Sequence, residues 1–253
     1  MRPIAAVTLA LALAAVLALA APAHAFDWGE MLKGVVNKSG GQSSASGVDA
    51  LSGADINAAL KEALTRGADA AVAQLGVKDG FLRNPKVKIP LPPTLKKADK
   101  ALRMVGMGDE ADELVVAMNR AAEAAVPEAK ALLVDAVRQM SLADARQILT
   151  GGDDAATKYF RKVSYDKLEQ RFLPVVKRTT DKAQLAAQYN QLAGQAAQLG
   201  LVSARDANVE GYVTRKALDG LFFVIAEEER AIRKDPLGQS SRILRSVFGA
   251  LGQ

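Results

Sequence analysis

From Ile56 onward, apolar residues recur three and four apart, at Ile56, Leu60, Ala63, Leu64, Gly67, Ala71 and Leu75. Such spacing brings them to one face of an α-helix. Leu185, Tyr189, Leu192, Ala196 and Leu199 repeat the pattern later. Ser52 with Asp55, Ser141 with Asp144 and Ser203 with Asp206 sit three residues apart, as helix-starting capping pairs do. Asp109 to Val126 is followed by Pro127, which opens a new helix readily because its missing N–H is unused there. "LFFVIA", Leu221 to Ala226, wraps more than one turn and predicts a central helix with no solvated face. The one interruption is "NPKVKIPLPP", Asn84 to Pro93, whose prolines impose an extended path. The expectation is an all-α domain of eight or nine helices with one proline-rich extended connector, and no repeat of fixed period.

Upstream the pattern changes. Arg2 is followed by an apolar stretch from Ile4 to Ala21 and then by Ala23-His24-Ala25, the form of a signal peptide cleaved after Ala25. Residues 26–50 read as a short amphipathic segment, "FDWGEMLKGVV", and a Ser/Gly-rich linker, leaving residues 51–253 as a single helical domain. The chain has no cysteine, so no lipoprotein anchor and no disulfide is expected. Export without lipidation means the periplasm in a bacterium with two membranes. The only histidine, His24, leaves with the leader. Ser-His-Asp and Cys-His mechanisms are thereby closed, as are zinc sites built on imidazole or thiolate. No metal site and no cofactor is expected.

"LTGGDDAATKYF", Leu149 to Phe160, joins the end of one helical pattern to the start of another. Thr150 can cap the new helix with Asp153 three residues on, or Asp153 is itself the cap. Two carboxylates at a helix start repel a phosphate, and Lys158 is not at phosphate-loop spacing. Two adjacent acids also lack the alternation of a calcium loop.

The 33 Lys and Arg, less Arg2, stand against 28 Asp and Glu, so the mature chain is mildly basic. The excess concentrates between Lys158 and Lys182, where eight basic residues face three acidic ones. Lys158, Arg161, Lys162, Arg171, Lys177 and Arg178 are the candidate ligand-binding residues, interleaved with Tyr159, Phe160, Tyr165 and Phe172. Cations and rings together suit a phosphate-bearing or sugar-bearing partner. The alternative is a solvated helical face with its aromatics turned inward. Nucleic acid is a poor partner for an exported protein; a lipid headgroup, an envelope glycan or a membrane surface is a better one.

Two carboxylates are candidates for acid–base work. A helical wheel puts Glu228 among Ala217, Leu221, Val224, Ile225 and Ile232, where a carboxylate is either neutral or paired with a cation of a neighbouring helix. Asp219 falls on the opposite side, in reach of Arg215. Asp112, Asn119 and Glu123 form a polar border beside the alanine-rich face of the Asp109 helix. Glu123 and Glu228 are thus the test candidates for a carboxylate-dependent hydrolase, and structural roles are the competing reading for both. The C-terminal Ile243, Leu244, Val247, Phe248 and Leu251, beside Arg242 and Arg245, form another amphipathic piece suited to packing or a membrane interface.

"DGFLRNPKVKIPLPPTLKK", "NRAAEAAVPEAK", "ILTGGDDAATKYFR" and "YVTRKALDGLFFVIAEEERAIRKDP" together resemble a group of exported bacterial proteins, Domain of Unknown Function 4197, over roughly Leu51 to Gly249. The resemblance implies an exported, mostly helical domain and carries no activity or catalytic residue with it. The functional expectation is a non-enzymatic envelope binding protein for an anionic lipid or glycan, with a carboxylate hydrolase or a protein-interaction scaffold as alternatives.

Overall fold

The amphipathic spacing becomes eight α-helices and one 3-10 turn, with no strand among the described residues. These residues of the computed structural model are 53–104, 106, 108–181, 184–198 and 208–234. The predicted leader, the segment and linker at 26–50, the Ser203–Asp206 pair and the C-terminal amphipathic piece lie outside them. The helices are α1 (Gly53–Leu75), α2 (Pro93–Met104), α3 (Gly108–Ala125), α4 (Ala129–Gln139), α5 (Leu142–Thr150), α6 (Ala155–Thr180), α7 (Gln184–Gln198) and α8 (Val209–Lys234). The 3-10 turn, Val126–Glu128, carries Pro127 in its first turn and makes the corner between α3 and α4.

α6 and α8 form the largest helix pair; α3 packs on both, and α1 packs on α8 and α4. "LFFVIA" is buried within α8 at Leu221, Phe222, Val224, Ile225 and Ala226. The sequence expectation of no solvated face fails at Phe223, which is 41% exposed. Lys216 and Asp219 are exposed with it, so α8 keeps one outward strip three and four residues apart.

Apart from Thr157, the buried residues of α6, namely Ala156, Phe160, Ser164, Leu168, Phe172, Val176 and Thr180, are spaced four apart. A helix turns roughly 100° per residue, so each step of four advances the stripe about 40° and the buried side winds around the axis. The polar members are satisfied locally: the Ser164 hydroxyl donates to the Phe160 carbonyl at 2.6 Å and that of Thr180 to Val176 at 3.1 Å. Phe81, Phe160, Phe172 and Phe222 are fully buried, each contributing about 1.5–3 kcal/mol by leaving water.

The connector crosses α8 at Gly220, where a Cβ would stand 2.7 Å from the Phe81 ring and 3.2 Å from Val87. Gly220→Ala is therefore expected to destabilise the fold by about 1–3 kcal/mol, because the ring has nowhere to move in a filled core. Urea unfolding checks it; a midpoint equal to the parent's would show that Phe81 shifts freely.

Candidate functional site

The polar border of α3 is a clamp for the connector. Asn119 is fully buried: its Oδ1 accepts from the Ile89 N–H at 2.8 Å, and its Nδ2 donates to the Ile89 carbonyl at 2.8 Å and to Val115 at 2.7 Å. One side-chain amide thus pairs with both backbone groups of Ile89, which a proline-rich segment cannot satisfy within itself. Four residues on, Glu123 Oε1 accepts from the N–H groups of Phe81 and Leu82, both at 3.0 Å. Its Oε2 accepts from Arg120 at 2.6 Å. Arg120 also donates to Asp79 at 2.6 Å, holding Asp79 at φ 72, in the left-handed region, and drawing its carboxyl below the usual range. Both oxygens of Glu123 are thus occupied, and its observed part is to fix the turn that sends Phe81 into the core. Asp112, the third residue of the border, is exposed and pairs with Arg103 at 2.7 Å.

The buried carboxylate of α8 is Glu229, one residue beyond the one the wheel selected. Glu228 is half-buried over Gly67 of α1 and, among the described residues, makes no ion pair with a cation of another helix. Glu229 is 7% exposed and reaches the start of α6. Its Oε1 accepts from the Ala156 N–H at 2.9 Å; its Oε2 accepts from the Thr157 N–H at 2.9 Å and hydroxyl at 2.8 Å. Arg233 donates to Glu229 Oε1 and to the Ile148 carbonyl in the last turn of α5, each at 2.9 Å. Two side chains of α8 therefore serve both ends of the "LTGGDDAATKYF" junction.

The expected local cap is absent. Thr150 ends α5 and donates its hydroxyl to Arg146, Asp153 is exposed, and Asp154 at the cap position makes no side-chain cap bond. Glu229 holds the amides that would otherwise have received an anion, so the junction is no phosphate cradle. By contrast, Ser141 and Asp144 form the reciprocal capping box that their spacing predicts.

All six basic candidates of α6 are exposed, yet the helix does not gather them. At roughly 100° per residue, Lys158 and Lys162 leave one side while Arg171 and Arg178 leave nearly the opposite one, with Lys177 on a flank. Lys158 to Arg178 also spans about 30 Å of axis. Lys158 pairs with Asp154 at 2.9 Å and lines a mixed-charge hollow with Lys162, Asp144 and the Gly151-Gly152 backbone. Arg161 turns toward α8, its guanidinium 4.8 Å from the Phe222 ring centre and 3.4 Å from Asp219. Asp219, expected to pair with Arg215, thus faces α6.

A different basic surface comes together where the connector meets α8. Lys86, Lys88, Pro90 and Leu91 on one side, Pro93 and Lys96 at the start of α2, and Tyr212, Lys216, Asp219, Gly220 and Phe223 on α8 line a groove of about 560 Å³. Lys86 is paired with Glu227. Lys88, Lys96 and Lys216 are exposed and, among the described residues, hydrogen-bond to no carboxylate. The Tyr212 hydroxyl donates to the Pro90 carbonyl at 3.2 Å, tying the two walls together. Sequence reasoning missed this site, although a signal existed: Val87, Ile89 and Leu91 are buried while Lys86, Lys88 and Pro90 are exposed, the alternation of an extended segment.

Neither Glu123 nor Glu228 lines the groove or the junction hollow. Among the described residues, no cluster of three acidic side chains suits a metal ion, and no helix is long and apolar enough to cross a membrane. No curated protein and no solved structure matches the chain. A family model does match, over residues 50–249, and the chain belongs to that family, DUF4197, described as a protein of unknown function.

Proposed function

We propose that the protein is a non-enzymatic binding protein of the cell envelope, and that it holds an anionic envelope component in the groove between the connector and α8. The observation that carries this reading is the convergence of Lys88, Lys96 and Lys216 around an apolar floor that leaves Phe223 partly bare. Cations that, among the described residues, hydrogen-bond to no carboxylate can draw an anion over apolar surface and hold what is attached to it. The leader-like pattern through Ala25 supports placement in the periplasm. The basic residues of α6 lie on different sides of their helix and serve as the control surface.

Full-length mature protein is expected to bind anionic vesicles more than neutral ones, with salt weakening the difference. Each engaged lysine contributes about 1 kcal/mol near a charged surface, within a Debye length of about 8 Å at physiological salt. Reversing Lys88, Lys96 and Lys216 to Glu should abolish binding with helical content unchanged, and reversing Lys162, Arg171 and Arg178 should leave most of it. The opposite order of effects would move the site to α6, and equal binding by all three proteins would remove the groove from the function.

A further inference from the structure

We infer that the groove takes a single-chain anionic amphiphile, its phosphate or carboxylate head on Lys88, Lys96 and Lys216 and its apolar chain along Val87, Leu91, Pro93 and Phe223. This rests on the groove reading above and names its ligand class. The inventory of donors and acceptors decides between an amphiphile and a glycan. Lysine ammoniums only donate. The acceptors in the groove are few: Asp219, about half exposed, meets Arg161 at 3.4 Å through one oxygen, and the Pro90 carbonyl takes the Tyr212 hydroxyl. A sugar presents hydroxyls that must donate as well as accept, and here Lys88, Lys96 and Lys216 offer donors against the one carboxylate of Asp219. A head that only accepts loses nothing.

The floor makes the same choice. Between the lysines lie Val87, Pro90, Leu91, Pro93, the backbone of Gly220 and the ring of Phe223, so hydrocarbon forms most of the contact. The groove's volume of about 560 Å³ lies within the range of about 300–1,000 Å³ typical of small-molecule sites. Its walls are also fixed in advance: the prolines restrict the connector, and Asn119 and Tyr212 tie it down from two helices.

Calorimetry on the full mature chain, with probes below their micellar concentrations, tests the assignment. Decyl phosphate and decanoate represent the two head chemistries, inorganic phosphate the head alone, decanol the chain alone and dextran sulfate an anionic glycan. At least one charged amphiphile should bind at least tenfold more tightly than phosphate, decanol and dextran sulfate. Phe223→Asp should lower that affinity tenfold or more, and Lys88→Gln with Lys216→Gln should lower it while raising the relative affinity for decanol. All three positions are exposed, so circular dichroism should match the parent.

If dextran sulfate or phosphate binds as tightly as the amphiphiles, the chain contributes nothing and the inference fails while the groove remains an anion site. Vesicle binding without binding of either amphiphile overturns the inference in the same way. Decanol binding as tightly as decyl phosphate overturns the role of the lysines, and binding of no probe, with no vesicle binding, removes both readings.

Discussion

Glu229→Ala is expected to lower the free energy of unfolding by about 3–5 kcal/mol, the scale of breaking a buried ion pair from one side. The substitution strips the Ala156 and Thr157 N–H groups of their acceptors and leaves the Arg233 guanidinium, 13% exposed, without its carboxylate. Glu229→Gln keeps one acceptor oxygen and should lose less. Thr150→Ala and Asp153→Ala, at the junction itself, should each stay within about 0.5 kcal/mol, because both residues are exposed and neither holds an amide of α6. Urea unfolding followed by circular dichroism ranks the four variants. A parent-like Glu229→Ala beside a weakened Asp153→Ala would mean that the junction caps itself.

Asn119→Ala should cost about 2–5 kcal/mol, since it leaves both the N–H and the C=O of Ile89 buried without partners at about 1–3 kcal/mol each. Ile89 is 1% exposed, so water cannot replace the lost amide. Hydrogen exchange at the Ile89 amide should accelerate relative to the centre of α6. Decyl phosphate affinity should fall too, although Asn119 touches no part of the groove, because the wall it holds is loosened. Unchanged exchange at Ile89 would show that the prolines alone fix the connector.

The helices were legible because each is amphipathic by itself. The Leu60 to Leu75 pattern, the Ser141–Asp144 box and the Pro127 corner all depend on residues within one or two turns. The polar interior was legible only as polar. Asn119 and Glu123 could be placed on a border, but the backbone groups they satisfy lie about thirty and forty residues away. The slip from Glu229 to Glu228 has the same origin. Buried residues occupy most of the circumference of α8, so two positions roughly 100° apart both fall on its apolar side. Only the α6 amides beside one of them decide which is sealed. The groove was harder still, being assembled from residues separated by more than a hundred positions. The basic run of α6 is adjacent in sequence but not gathered in space, because a buried stripe of period four turns its two ends apart.

Glu229 lies 73 residues after the amide it caps, and a chain is synthesised from its N-terminus. α5 and α6 therefore leave the ribosome well before the side chains that finish their junction exist as part of the polypeptide. Until α8 follows, α6 begins with two bare amides and α5 ends without the Arg233 bond to Ile148. A chain that stops just ahead of Glu229 retains the residues of the other seven described helices yet leaves this junction without its α8 partners. α8 thus closes a lock in the middle of the chain that the residues of α5 and α6 cannot close for themselves.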